Sequence, residues 1–267
     1  MNETLKRSIS GVVYVILLIA SLQFSVESFF VLFGIFLILA IYEFCNLMAL
    51  KKILPILIGI AVYLLCCKIP FSRTNDQLLL AVTLIVSVKC IFFLFDDNKL
   101  TIDTASKYMY LIGYVLFPFI LITKIPIGIN GYDPKVIISI FILIWINDTF
   151  AYIIGKSIGK HKLFERISPK KTIEGFIGGL LFCLLASYFI SVYYIGGALY
   201  IWIIIAAIVG VFGTIGDLIE SKFKRVAGVK DSGTIMPGHG GVLDRLDSII
   251  FVAPIIYLFY QILYYVS

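Results

Sequence analysis

Residues 198–218 read ALYIWIIIAAIVGVFGTIGDL, residues 219–247 read IESKFKRVAGVKDSGTIMPGHGGVLDRLD, and residues 248–266 read SIIFVAPIIYLFYQILYYV. The two flanking stretches are apolar on nearly every side, and at about 1.5 Å per residue each has the length to cross a hydrocarbon core of roughly 30 Å. A helix without a polar face must bury itself in protein or lipid. The unit is therefore two membrane spans joined by a polar connection. That connection carries Ser221, Lys222, Lys224, Arg225, Lys230, Asp231, His239, Asp244, Arg245 and Asp247, with Gly233, Gly238, Gly240 and Gly241 among them. Glycines let backbone N–H groups approach an anion, Lys and Arg neutralise phosphate oxygens, and clustered carboxylates suit a hard divalent cation.

The rest of the chain agrees with this reading. Of 267 residues, 61% are hydrophobic and only 14% charged, too apolar a composition for a soluble domain of this length. Dividing the sequence by about 20 apolar residues per helix predicts about nine spans, at 9–25, 28–50, 53–69, 77–95, 106–123, 135–155, 175–194, 198–218 and 248–266. In the fifth, Tyr108, Tyr110 and Tyr114 are expected at the membrane interface. The first run follows Lys6 and Arg7 like a signal peptide, but no small-residue cleavage site comes after it, so it is read as a retained span. The fold expected is an all-α, polytopic integral membrane protein: residues 1–130 form N-terminal membrane helices, about five spans, and residues 131–267 a C-terminal catalytic membrane region.

Orientation follows from the placement of positive charge. With the N-terminus cytoplasmic, seventeen Lys and Arg fall on the inside, against Lys68, Arg73, Lys124 and Lys135 outside and Lys89 within a span. The net charge of +6 then reflects topology and attraction to an anionic membrane surface, and nucleic-acid binding is not expected. The five cysteines, Cys45, Cys66, Cys67, Cys90 and Cys183, lie in apolar runs without metal-ligand spacing and read as core residues. Glu43 and Lys89, also within spans, are expected to pair with each other or to reach the interface.

Two polar segments on the cytoplasmic side, near 156–174 and 219–247, carry the candidate chemistry. The first contains Lys156, Lys160, Lys162, Arg166, Lys170 and Lys171, opposed by Glu165 and Glu174. A positive-inside anchor for lipid head groups explains the charge alone. Asn147 and Asp148 just upstream, in an otherwise apolar helix, point instead to a site. Lys170, Lys171 and Thr172 precede the seventh span, where a helix amino end and two ammonium groups can meet an anion. Gly175, Gly178 and Gly179 also suit close helix packing. In the second segment, Asp217, Ser221, Lys224 and Arg225 share a helical stripe of about 80° to 100°. Asp244 and Asp247, spaced i and i+3, face one side of the last helix, and two carboxylates so placed repel unless a proton or a cation such as Mg²⁺ intervenes. His239, in PGHGG, has the options of facing phosphate, ordering its loop, transferring a proton or ligating a metal.

The order Ser221, Phe223, Lys224, Arg225, Lys230, Asp231, Pro237, His239, Gly240, Gly241, Asp244, Arg245, Asp247 resembles the signature of the phosphatidate cytidylyltransferase, or CDP-diacylglycerol synthase, family. Upstream, NDTFAYIIGKSIGKHKL and SPKKTIEG resemble the same family, so the strong similarity runs from about 147 to 247. Met236 stands where another apolar residue is more usual, a change without chemical consequence. The resemblance implies transfer of CMP from CTP to phosphatidic acid in the bilayer, with Mg²⁺ and, as an open option, a second, monovalent cation. It implies metal coordination by Asp217, Asp244 and Asp247, with Asp231 an outside candidate, and phosphate binding by Ser221, Lys224, Arg225, Lys230 and Arg245. His239 joins that catalytic set. Substrate binding falls to Asn147, Asp148, Lys170, Lys171, Thr172, Glu174, Lys222, Gly240 and Gly241. A homodimer is compatible with the sequence, and a bacterial cytoplasmic membrane is the expected location, with the site facing the cytoplasm. Two rival classes are a CTP-dependent polyprenol or phytol kinase, separated by which phosphorus is transferred, and an ion-coupled transporter using Asp148, Asp217 and Lys89.

Overall fold

In the computed structural model, which describes residues 3–68, 73–96, 101–128, 131–236, 238 and 240–266, apolar runs become helices in sequence order. They are α1 (Glu3–Phe24), α2 (Val26–Leu47), α3 (Ile53–Lys68), α4 (Arg73–Phe95), α5 (Thr104–Lys124), α6 (Pro134–Ile158), α7 (Ile173–Ile195), α8 (Leu199–Val226) and α9 (Leu243–Val266). Among the described residues, seven of these are long and apolar enough to cross a membrane, and Ile9–Phe24 and Ile53–Cys67 are shorter apolar helices. Their outward faces carry Val31, Ile35, Phe92 and Leu185 among many exposed apolar side chains. Such a surface belongs in lipid. The chain is an all-α polytopic membrane protein.

Local chemistry sets the boundaries. Ser25 and Ser28 form a reciprocal capping box at the start of α2, Asp133 accepts the Lys135 N–H ahead of Pro134 at the start of α6, and Thr172 Oγ1 accepts the Gly175 N–H at 3.1 Å to cap α7. Two short antiparallel hairpins join helices: β1 (Ile127–Gly128) with β2 (Gly131–Tyr132), and β3 (Lys162–Phe164) with β4 (Ser168–Thr172). In the second, Lys162 pairs with Thr172 and Phe164 with Ser168, so the first polar segment is a hairpin leading directly into α7.

Helix α8 runs to Val226, further than its apolar run, and α9 begins at Leu243, before its own. Most of the ionisable groups of the second polar segment are thus on helix ends. The opposite face of α8 is fixed by Phe223, whose ring lies 5.1–5.4 Å from those of Phe44, Phe93, Tyr110 and Tyr114. Tyr110 and Tyr114 are therefore buried core residues and not interface anchors, while Tyr108 remains exposed. Within α5, residues Leu111–Leu116 take up the wider π-helical turn. Helices α6 and α7 cross closely, and a Cβ on Gly175 or Gly179 would press on the α6 backbone at Ala151 or Asn147. These glycines are packing residues.

Candidate active site

The carboxyl ends of α6 and α8, the amino ends of α7 and α9, the β3–β4 hairpin and the described residues between Lys230 and Gly240 enclose a cavity of about 1020 Å³. Its wall holds the cations Lys156, Lys162, Lys170, Lys171, Lys224, Lys230 and Arg245, and the carboxylates Asp148, Asp217, Asp231, Asp244 and Asp247. Cations outnumber carboxylates, which favours an anion. An ion pair, Lys171 Nζ to Asp217 Oδ2 at 2.6 Å, joins the two polar segments. Asp148, Asp217 and Asp247 lie close enough to feel one another's charge, with Lys171 opposing them.

The stripe on α8 divides. Asp217 faces the cavity and accepts the Ser221 hydroxyl at 3.3 Å, so Ser221 orients Asp217 and is itself off the wall. Lys224 is held between two carboxylates, Glu220 one turn earlier and Asp244 Oδ1 at 2.6 Å. Arg225 turns away: its Nε donates to Ile167 O at 3.3 Å and its guanidinium to Val229 O at 2.9 Å. It clasps the hairpin to the end of α8, which corrects the phosphate-binding role expected for it.

Asp244 is engaged by its neighbours as well. Its Oδ2 accepts the Gly241 N–H at 2.7 Å, the Ser232 N–H at 2.8 Å and the Ser232 hydroxyl at 2.8 Å, while Oδ1 takes Lys224. Three of these contacts fall on Oδ2 and one on Oδ1, and Asp244 also lines the cavity. Asp244 thereby braces the loop, and among the described residues no group of three His, Cys, Asp or Glu is placed to hold a metal ion. Gly240 makes this bracing feasible, because its φ of +82° is left-handed and a Cβ there would strike the Asp244 carboxylate. Asp247 spends Oδ1 on the Ser248 N–H at 2.7 Å and lies on the cavity wall.

Other expected substrate-binding residues separate into wall and scaffold. Asn147, Asp148, Lys170, Lys171, Thr172 and Gly240 line the cavity. Asn147 is buried, its amide nitrogen 3.5 Å from Asp148 Oδ1, and its own Oδ1 has no hydrogen-bond partner among the described residues. Glu174 is off the wall: it accepts the Lys160 and His161 N–H groups at 3.1 and 3.2 Å and meets His161 Nδ1 at 2.7 Å, fixing the turn before β3. Lys222 points to the far side of α8, where it donates to Leu94 O at 3.3 Å and lies over the Phe93 ring. A substrate role for Lys222 is thereby corrected to a cap on the carboxyl end of α4. Gly241 is covered by Ser232 and Glu43. His239 and Pro237 lie outside the described residues.

Glu220 is the residue that the sequence reading left unmarked, while Lys156 and Lys162, expected only as part of the basic segment, prove to line the cavity. Glu220 had a legible signal, its i,i+4 relation to Lys224. Lys89 and Glu43 do not pair with each other: Lys89 Nζ reaches Met109 Sδ at 3.4 Å, and Glu43 reaches the amino end of α9. The five cysteines are free thiols within helices.

An apolar helical bundle with a charged cavity at one end defines an integral membrane protein built to hold a polar group beside lipid. Residues 5–263 match the cytidylyltransferase family, and the chain belongs to that family. It is 52% identical over 122 residues to the phosphatidate cytidylyltransferase of Staphylococcus aureus (strain COL), covering 45% of this chain and 46% of that protein. The phosphatidate cytidylyltransferase of Staphylococcus haemolyticus (strain JCSC1435) gives the same identity and coverage. With the protein of that name from Staphylococcus saprophyticus, the identity is 38% over 186 residues, 69% of this chain and 70% of the other. At the higher identity, the chain spans about half the length of the relatives it matches.

Proposed function

We propose that this protein transfers the cytidylyl group of CTP to phosphatidic acid, forming CDP-diacylglycerol and releasing pyrophosphate, at a bacterial cytoplasmic membrane with the cavity facing the cytoplasm. The observation that carries this reading is the single cavity in which Lys170 and Lys171 of one polar segment face Asp217 and Asp247 of the other. The family membership and the names of the relatives support it.

A phosphatidate oxygen attacks the α-phosphorus of CTP; the new P–O bond forms as the bond to the β-phosphate oxygen breaks, and the electron pair leaves with pyrophosphate. A phosphomonoester with a second pKa of about 6 is already largely ionised at neutral pH, so the nucleophile needs no strong base. The work left to the chain is alignment and charge neutralisation. Lys170, Lys171, Lys230 and Arg245 neutralise phosphate oxygens from the cavity wall, and Lys224, fixed by Glu220 and Asp244, presents a cation that cannot swing away. Asp217 and Asp247 fit Mg²⁺, because that ion takes one or two protein carboxylates and completes its shell with phosphates and water. Bound there, Mg²⁺ would supply Lewis-acid neutralisation of the leaving group. The phosphatidate tails stay in lipid at the bundle's apolar exterior, since extracting them costs about 0.8 kcal/mol per CH₂.

The test uses purified protein in nanodiscs with phosphatidic acid, Mg²⁺ and CTP labelled separately on its α- and γ-phosphates. The α-label should enter lipid with release of pyrophosphate. A γ-label in lipid means a kinase, and no transfer of either label rejects both nucleotide reactions.

A further inference from the structure

One buried carboxylate has no part in the reaction above. Glu43 lies on α2, far from the polar segments in sequence, and is 1% exposed. Its Oε1 accepts the Val242 N–H at 2.9 Å, and its Oε2 accepts the Leu243 N–H at 2.9 Å. Leu243 opens α9, and the first amides of a helix have no partner within the helix. Glu43 supplies that partner, with its negative charge at the positive end of the helix dipole. The same carboxylate reaches the preceding loop: Ser232 Oγ stands 3.1 Å from Glu43 Oε2 and 2.8 Å from Asp244 Oδ2. A serine has one hydroxyl proton, so the two carboxylates are linked through a shared donor. The fit is close, because a Cβ on Gly233 would lie 2.6 Å from Glu43 Oε1, and one on Gly241 would also strike the Glu43 carboxylate.

The residues that follow Leu243 are Asp244, Arg245 and, one turn on, Asp247, all of them on the cavity wall. We propose that Glu43 is a positioning residue for this site: by holding Val242 and Leu243 it fixes the rotation of the first turn of α9, and with it the aim of Asp244, Arg245 and Asp247. The role rests on the cytidylyl-transfer reading and assigns to an N-terminal helix a part in aligning the reacting phosphates. Glu43 touches no substrate. Its removal should lower turnover more than it weakens nucleotide binding, because Lys170 and Lys171 sit on a hairpin that Glu43 does not contact.

The test compares wild type, Glu43→Gln, Glu43→Asp and Glu43→Ala in nanodiscs, by backbone hydrogen exchange and by steady-state kinetics. Glu43→Gln keeps the shape but replaces one acceptor oxygen with a donor. In the Gln and Ala variants, exchange across 232–243 should rise about ten-fold, with α6 and α7 unchanged. The kcat should fall about ten- to a hundred-fold, KM for CTP should stay within about three-fold, and Glu43→Asp should recover part of the loss. An unchanged kcat, a rise in KM with no fall in kcat, or faster exchange across the whole bundle would each overturn the role. If wild type transfers no cytidylyl group, the functional reading fails by itself. The exchange pattern then still decides whether Glu43 holds the amino end of α9: a rise confined to 232–243 keeps that structural part, and no rise removes it.

Discussion

The two polar segments that share the cavity are built on opposite plans. From 156 to 172 the chain is the last turn of α6 and a hairpin, with Lys156, Lys162 and Lys170 exposed, and Lys171 reaches across to a carboxylate of the other segment. From 217 to 247 the charges are wired to one another: Lys224 between Glu220 and Asp244, Asp244 to three loop donors, Arg225 to two carbonyls. Long, rotatable lysines on a hairpin suit capture of an anion whose approach varies. Groups held by neighbours on helix ends, as Lys224 and Asp244 are, suit alignment, where misplacement by about 1 Å is costly. On the proposed reading, the site separates binding from positioning along the sequence.

That division can be broken most directly at Asp217. Asp217→Asn should lower kcat/KM by about 10²–10³-fold with the protein still folded, measured by the α-label assay. Lys224→Met comes next and acts on stability, since it leaves Glu220 and Asp244 buried without their cation; a loss of about 3–5 kcal/mol is expected by denaturant or thermal unfolding. On the hairpin, Lys171→Gln should raise KM for one anionic substrate about ten-fold while kcat changes less. Lys170→Gln should raise KM by only about three-fold, with an effect that shrinks as salt is added. Smallest is Arg225→Ala, which removes a clasp to two carbonyls and should cost about 1–2 kcal/mol of stability. A Lys170 variant that lost turnover as Asp217→Asn does would abolish the distinction between the two segments.

Much of this was legible in the sequence. Hydropathy placed the helices because a bilayer imposes length and apolar composition on each span, and the i,i+4 and i,i+7 spacing put Asp217 and Lys224 on one face of α8. What spacing does not encode is which way a side chain turns at a helix end. Lys222, Lys224 and Arg225 are neighbours in sequence, yet one caps α4, one enters the cavity and one clasps a hairpin. Asp244 stands near Asp247 in the sequence, and only the loop folding back over it reveals the donors that meet its Oδ2. Glu43 gave even less sign, because its partners lie about two hundred residues away and are backbone amides, which carry no residue identity.

The packing of Phe223 makes the length of α8 the least negotiable quantity in the molecule. Its ring is clamped by four others while Lys222 and Lys224, on either side of it, serve different compartments. Inserting one residue between Asp217 and Phe223 would turn everything beyond it by about 100° relative to the start of the helix. The aromatic clamp and the cavity could not then both be satisfied. Single substitutions along α8 remove one contact each, whereas a one-codon insertion or deletion turns every later side chain off its partner by about 100°, and tolerance to such changes should fall to a minimum there.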